Sequence, residues 1–276
     1  MLIEFTKMHG LGNDFVVINN LDGSINLDSD KIRYISNRNT GVGCDHVLLI
    51  CSSNKPSVDV MYRIFNADGN EAEQSGNGVR CLGKYLVDKG IVVENEMTVE
   101  NTKGLIKINV NDNGDIQVNM GKPVFEPELI PIKASMRQKK YEVTLNEAEV
   151  SLFSLSMGNP HAVILVDDVI NADVGCIGPQ VQQSDLFPEG VNVGFMQILD
   201  NKNVKLRVFE RGVGETMACG TGACAAVVSG IIDGKLDNNV NVELTGGLLD
   251  IRWDKQDSDV WMTGPAMTVF EGKISL

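Results

Sequence analysis

The chain has 276 residues, 43% of them hydrophobic, with 28 glycines against 8 prolines and a formal net charge of −13. That composition supports a sizeable buried core and excludes intrinsic disorder and fibrous or low-complexity architectures. An acidic surface repels a phosphate backbone, so no nucleic-acid partner is expected. The densest basic run, Arg137, Lys139 and Lys140, reads as a solvated turn.

Residues 1–10 mix Glu4, Lys7 and His9 with apolar residues and show no signal-type stretch, and no window is long enough for a membrane helix. The six cysteines read as thiols, which leads to the expectation of a cytoplasmic protein without a membrane partner. Gly12-Asn13 marks a turn into a short β-branched strand, and residues 61–65 alternate as a strand does. A small-residue loop, Ser75-Gly76-Asn77-Gly78, then leads into a helix predicted over 78–89, with Gly90 as its stop. Strands are predicted over 97–99, 105–110 and 116–120, the last two joined by the hairpin signal Asn113-Gly114. Residues 123–131 form a crossover.

Beyond the crossover the pattern returns. Gly158-Asn159-Pro160-His161-Ala162-Val163-Ile164 resembles Gly12-Asn13-Asp14-Phe15-Val16-Val17-Ile18 at an offset of 146 residues. Arg207-Val208-Phe209-Glu210 then matches Arg63-Ile64-Phe65-Asn66 at an offset of 144. Glu215 matches Glu71, and Cys219-Gly220-Thr221-Gly222 matches Ser75-Gly76-Asn77-Gly78, at that same offset. Two copies of one domain follow from the shared order: 1–120, to which the tail 264–276 returns, and 121–263. The second helix, predicted over 222–232 with Gly234 as its stop, is apolar almost all round and should be buried inside a curled sheet. Strands over 240–244, 248–253 and 260–263 complete the copy.

If the domains pack symmetrically, the two glycine-rich loops face one another. Each opens a helix, where free N–H groups and the helix dipole favour a carboxylate. The same field is expected to lower the pKa of Cys219 and supply a thiolate. The bland reading of both loops is a pair of tight strand-to-helix turns with a buried cysteine. His161 lies in a repeated loop. Glu210 and Arg211 suit tuning a thiol and binding a carboxylate respectively, or form an ordinary surface ion pair. Met217 and the other methionines read as core filler. Gly78-x4-Gly83-Lys84 fails as a P-loop because Tyr85 stands where Ser or Thr would hold magnesium, and no complete dinucleotide fingerprint follows a strand. The three histidines are scattered and Cys219-x4-Cys224 lacks a second pair, so no metal is expected. No lysine is singled out for a pyridoxal cofactor.

Several stretches together are specific: Phe5-Thr6-Lys7-Met8-His9-Gly10-Leu11-Gly12-Asn13-Asp14-Phe15, Asn66-Ala67-Asp68-Gly69-Asn70-Glu71-Ala72, Gly76-Asn77-Gly78-Val79-Arg80-Cys81, Gly158-Asn159-Pro160-His161, and Glu210-Arg211-Gly212-Val213-Gly214-Glu215-Thr216 into Ala218-Cys219-Gly220-Thr221-Gly222. Over essentially its whole length the chain resembles the diaminopimelate epimerases, cofactor-independent enzymes of lysine and peptidoglycan precursor biosynthesis. The resemblance implies two similar α/β domains, each a mostly antiparallel β-barrel around a central helix, and a homodimer. The implied reaction interconverts LL- and meso-diaminopimelate through two residues on opposite faces of one α-carbon, with no cofactor.

Carried over residue by residue, the resemblance makes Cys219 one acid/base and puts Ser75 at the other position. Gly76, Asn77, Gly220 and Thr221 would hold the reacting carboxylate. Asn13, Asn66, Asn159, Asn192 and Arg211 would bind the rest of the substrate, with Arg211 on the distal carboxylate. His161 and Glu210 would tune the acid/base pair, with Glu210 also touching substrate, and Phe270 would lie at the dimer interface. Two positions depart from the family pattern. Cysteine is usual where this chain has Ser75, an introduced substitution or a natural variant, and a hydroxyl is a far poorer proton shuttle than a thiol. Glutamine is usual where it has His46, which would still contact substrate. Two other functions are weighed: a proline- or hydroxyproline-type racemase or epimerase on the same fold, and a binding protein that holds diaminopimelate without turning it over. Cys81 and Cys224 are expected to be core packing.

Overall fold

The computed structural model describes residues 1–72, 75–145, 148–255 and 257–276. It separates into two compact units, residues 1–119 with 263–276, and residues 120–262. Both have a mixed α/β composition.

In the first unit, β1 (Leu2–Gly10) turns into β2 (Asn13–Asn20) through Leu11 and Gly12, whose φ values of 55° and 87° mark a type I′ hairpin. A crossover carrying α1 (Ser29–Ser36) brings β3 (His46–Cys51) parallel to β2, with Phe15 opposite His46. Asp28 starts α1 by accepting from the Lys31 N–H at 2.9 Å. β4 (Val60–Asn66) returns antiparallel to β3 and hairpins into β5 (Glu71–Ala72). The buried helix α2 (Gly76–Asp88) then crosses to β6 (Glu96–Asn101), parallel to β4. β7 (Gly104–Val110) and β8 (Ile116–Asn119) follow as antiparallel hairpins, and the C-terminal strand Met267–Ser275 pairs with β1. α2 packs against β1, β2, β7 and β8, whereas α1 covers the opposite side of β3 with Ile32 and Ile35.

The second unit repeats this plan. After the 3₁₀ turn Pro127–Leu129 come β9 (Tyr141–Leu145), β10 (Ala148–Ser156) and β11 (Pro160–Leu165). α3 (Val174–Gln182) lies in the crossover to β12 (Asn192–Ile198), parallel to β11 with His161 opposite Asn192. β13 (Asn203–Glu210), β14 (Gly214–Thr216), α4 (Gly220–Ile232), β15 (Asn239–Leu244), β16 (Gly247–Arg252) and β17 (Trp261–Gly264) complete it. The C-terminal strand of the first unit is then β18. α4 packs against β10, β11, β12, β13, β15 and β16, and all its residues except Thr221 and Ile232 are buried. The apolar helix is thus the axis of its unit.

The duplication is visible in the register itself. Phe15↔His46 and His161↔Asn192 are equivalent parallel pairs, and Phe65↔Glu71 and Phe209↔Glu215 are equivalent hairpin pairs. Arg63 clamps Glu71 at 2.8 Å as Arg207 clamps Glu215 at 2.6 Å, so each copy staples the hairpin that precedes its central helix.

Lys139 and Lys140 lie in a solvated bend, 54% and 36% exposed, and both also reach Asp233, at 2.7 and 3.8 Å, whose side chain is only 8% exposed just after α4. One local expectation is corrected. Met217 is 51% exposed and fills no core. Cys81 and Cys224 are wholly buried, and burial pushes the Cys81 thiol up to about 12, so packing is their role.

α3 sits on β13 immediately before Glu210. A Cβ on Gly178 would lie 2.7 Å from Cγ and 2.8 Å from Cβ of Phe209, atoms that cannot swing away. Gly178→Ala is expected to destabilise the fold by about 1–3 kcal/mol, outweighing the gain in helix propensity, as read by the midpoint of urea unfolding. An unchanged midpoint would show that α3 is free to shift.

Candidate active site

α2 and α4 begin in the same way. Ser75 is the N-cap of α2, extended at φ −142° and ψ 114°, and its hydroxyl accepts from the Gly78 N–H at 3.1 Å. Cys219 is the N-cap of α4 at φ −120° and ψ 107°, with its Sγ 3.6 Å from Thr221 Oγ1. Glycine at the third helical position lets both caps close: a Cβ on Gly78 would meet Phe15 at 3.0 Å, and one on Gly222 would meet Cys219 Sγ at 3.2 Å. Serine is a good cap, whereas the thiol makes no side-chain cap bond to the geometric standard the hydroxyl meets.

Cys219 is 4% exposed, and its electrostatics overturn the expectation of a ready thiolate. Burial, and then the negative charge of Glu210, push the thiol well above its usual range; contacts from Thr221 and the Gly222 N–H pull the other way and lose. The helix N-terminus does not win because a bare sulfur anion would lose water and face a carboxylate together. Cys219 is therefore a neutral thiol in the field of a carboxylate.

Glu210 ends β13, and its Oε1 accepts from the Thr216 hydroxyl at 2.5 Å across the hairpin. No ion pair joins Glu210 to Arg211 among the described residues. Arg211 instead donates its backbone N–H to Asn192 Oδ1 at 2.9 Å and its Nη1 to the Glu189 carbonyl at 3.1 Å. Asn192, 4% exposed, donates in turn to the Pro160 carbonyl at 3.2 Å. Gly190, at φ 73°, leaves room for the Arg211 stem, which a Cβ there would approach to 3.0 Å.

His161 is 1% exposed, with Nε2 2.9 Å from Asn159 Oδ1. Burial, reinforced by the Arg211 charge, takes its pKa down to about 3, so it is neutral at physiological pH. An amide oxygen only accepts, so Nε2 carries the hydrogen. Because the folded pKa lies below the unfolded value of about 6.5, protonation favours the unfolded chain. Stability should fall as pH drops from about 6.5 towards 3, by at most about 1.4 kcal/mol per pH unit from this group. His161→Gln should flatten that part of the urea-midpoint profile; an identical slope would show that other groups set it.

The first unit gathers Asn13, His46, Asn66, Gly76 and Asn77. His46 stacks on Phe15 with ring centroids 5.4 Å apart, opposite Asn66 in the β3–β4 register. Its Nδ1 is buried without a hydrogen-bond partner among the described residues, and burial lowers its pKa. Asn77 Nδ2 reaches Asn13 Oδ1 at 3.4 Å, and Asn13 Nδ2 donates to Asp45 at 2.9 Å. Phe270 lies apart from this group on β18, opposite Lys7 and edge-on to Phe5 at 5.9 Å. Residue-type reasoning missed Thr216, Asp45 and the buried Arg80; the repeat offset, which makes Thr216 the counterpart of Ala72, was the available signal for the first of them.

A probable proline racemase from Agrobacterium radiobacter shares the fold with TM-score 0.72 at 16% identity, covering 99% of this chain and 93% of that one. A hydroxyproline epimerase from Agrobacterium vitis does so at 0.70 and 15%, over 100% and 93%, and a PhzF-family phenazine biosynthesis protein from Bacillus anthracis at 0.71 and 17%, over 100% of both. The fold is the two-domain, pseudo-symmetric one of the proline racemase and PhzF structures.

Within that fold class the sequence is specific. The diaminopimelate epimerase family model matches residues 5–126 and 153–269. The chain is 50% identical to a diaminopimelate epimerase of Nitrosomonas eutropha over 279 residues, covering 100% of each. It is also 50% identical to one of Acinetobacter baumannii over 277 residues, covering 100% of this chain and 98% of that one. The chain belongs to the diaminopimelate epimerase family, and with it to the isomerases.

Proposed function

We propose that this chain interconverts LL- and meso-2,6-diaminopimelate at one α-carbon, without a cofactor, in lysine and peptidoglycan precursor biosynthesis. The observation that carries the reading is the repeated cap: Ser75 and Cys219 stand at the same position of equivalent buried helices, each followed by Gly-x-Gly. A two-base epimerisation needs one group for each face of the α-carbon, and each unit offers one. One residue removes the α-proton; the electron pair spreads into the adjacent carboxylate, held by the N–H groups of Gly76, Asn77, Gly220 and Thr221; the other residue delivers a proton to the far face. The neutral thiol of Cys219 suits delivery, and Glu210, steadied by Thr216, suits taking the proton back for the reverse direction. In the same reading His161 fixes Asn159, and Asn66, Asn192 and Arg211 bind the distal end, with His46 beside Asn66.

Titration calorimetry with LL-diaminopimelate and with proline tests the assignment. Diaminopimelate binding without proline binding is expected, because a monocarboxylic ring leaves Arg211 with no distal carboxylate. Proline binding alone would replace the reading with a proline-type racemase. Binding of diaminopimelate with no α-proton exchange in deuterated water would leave a binding protein.

The homodimer belongs to the same proposal. On β18, Phe270, Val269 and Met267 are 47%, 55% and 52% exposed, an apolar row that a second copy would cover. A cytoplasmic location suits six free cysteines, and no described helix is long and apolar enough to cross a membrane.

A further inference from the structure

Four side chains of the first unit form a hydrogen-bonded line with a charge at each end. Arg80, wholly buried on α2, donates from Nη2 to Asn77 Oδ1 at 2.9 Å and from Nε to the Pro265 carbonyl at 3.2 Å. Asn77 Nδ2 points to Asn13 Oδ1 at 3.4 Å, and Asn13 Nδ2 donates to Asp45 Oδ2 at 2.9 Å. Asp45 is itself held by the Asp14 N–H at 3.0 Å and by Arg38 at 2.8 Å. Lys7 and Arg38 brace Asp14 at 2.5 and 2.9 Å, so the far end of the line is an anchored charge cluster.

The charges leave the amides no choice of orientation. A guanidinium only donates, so Asn77 must turn its oxygen to Arg80 and its NH₂ outward. A carboxylate only accepts, so Asn13 must turn its NH₂ to Asp45 and its oxygen outward. The 3.4 Å contact between those outward atoms is the longest in the line and the one exchanged at least cost. A donor beside an acceptor at that spacing matches an amino acid's carboxylate and ammonium on one carbon.

We propose that Arg80 and Asp45 are positioning residues that fix the polarity of Asn77 and Asn13, so that this pair takes the zwitterionic head of an α-amino acid, carboxylate on Asn77 and ammonium on Asn13. The inference rests on the function proposed above and adds the groups that select the head. The repeat supports it by contrast: the second unit has Cys224 and Val191 at the positions of Arg80 and Asp45, and there Asn159 is bound through its oxygen by His161. Asn159 therefore presents a donor where Asn13 presents an acceptor. The two copies have opposite polarity at one position of the duplicated turn.

The experiment is calorimetry on the chain as it stands, with meso-diaminopimelate and with pimelate, which keeps both carboxylates and lacks both ammonium groups. Asp45→Asn, which keeps shape but no longer forces Asn13 to one orientation, is expected to weaken diaminopimelate at least tenfold while leaving pimelate unchanged. Arg80→Met, which releases the amide that takes the carboxylate, should weaken both ligands, and Arg80→Lys, which keeps a charged donor, should recover part of both losses. Asp45→Asn binding diaminopimelate within twofold of the parent overturns the proposal. So does an equal loss for diaminopimelate and pimelate in Asp45→Asn, the mark of a merely structural role, or Arg80→Lys no better than Arg80→Met. Failure of the parent itself to bind diaminopimelate would instead overturn the function on which the proposal rests.

Discussion

Ser75→Cys is expected to raise α-deuterium incorporation into LL- and meso-diaminopimelate in deuterated water by about 10²–10⁴-fold, the range a positioned general acid or base contributes. A hydroxyl far above neutrality in acidity can neither take the α-proton readily nor exist as its conjugate base, whereas a thiol at the same cap can do both. The gain should come with a loss. Ser75 satisfies the Gly78 N–H as the cap of α2, and exchanging oxygen for sulfur should cost about 0.5–2 kcal/mol of stability. Mass spectrometry of the recovered amino acid reads the first effect and urea unfolding the second. Equal exchange by both chains would show that another group acts on that face, and would remove Ser75 from the catalytic pair.

Glu210→Gln, in the Ser75→Cys chain, should separate acidity from turnover. Burial and the Glu210 charge together hold the Cys219 thiol up, so removing the charge should bring its titration to lower pH. That is read from thiolate ultraviolet absorbance, as the difference from the matching Cys219→Ser chain. Exchange should nonetheless fall by at least about 10²-fold, because the proposed proton path then lacks the carboxylate that receives the thiol proton. A thiol that titrates at the same pH or higher would show that Glu210 does not face the sulfur in solution, and undiminished exchange would remove it from the proton path.

How much of this was readable beforehand differs by element. α2 and α4 were legible because glycine stops and small-residue loops bracket them, though both begin two residues earlier than periodicity suggested: caps belong to backbone geometry, not hydrophobic pattern. α1 and α3 were not foreseen. α1 has only Ile32, Ile35 and a buried Ser36 facing the sheet, and α3 carries Pro179 between Gly178 and Gln180 in a turn-like composition. Both are helices because a parallel crossover needs a covering element and the sheet offers an apolar face to it. The candidate site residues came from motifs at loop ends, yet their relations did not, since Thr216 on Glu210 and Arg80 on Asn77 are contacts made only by folding.

The duplication, the strand and helix order around each glycine-rich cap, and the family are legible along the chain, because they depend on residue identity and local spacing. The protonation states and the polarity of the amides arise only on folding. Cys219 is neutral, against the reading of its helix position, because desolvation and the Glu210 carboxylate act through space and outweigh a field that acts along the chain. Asn13 and Asn159 occupy one repeated position but are held by opposite atoms, because Asp45 accepts from the amide nitrogen of one and His161 donates to the amide oxygen of the other.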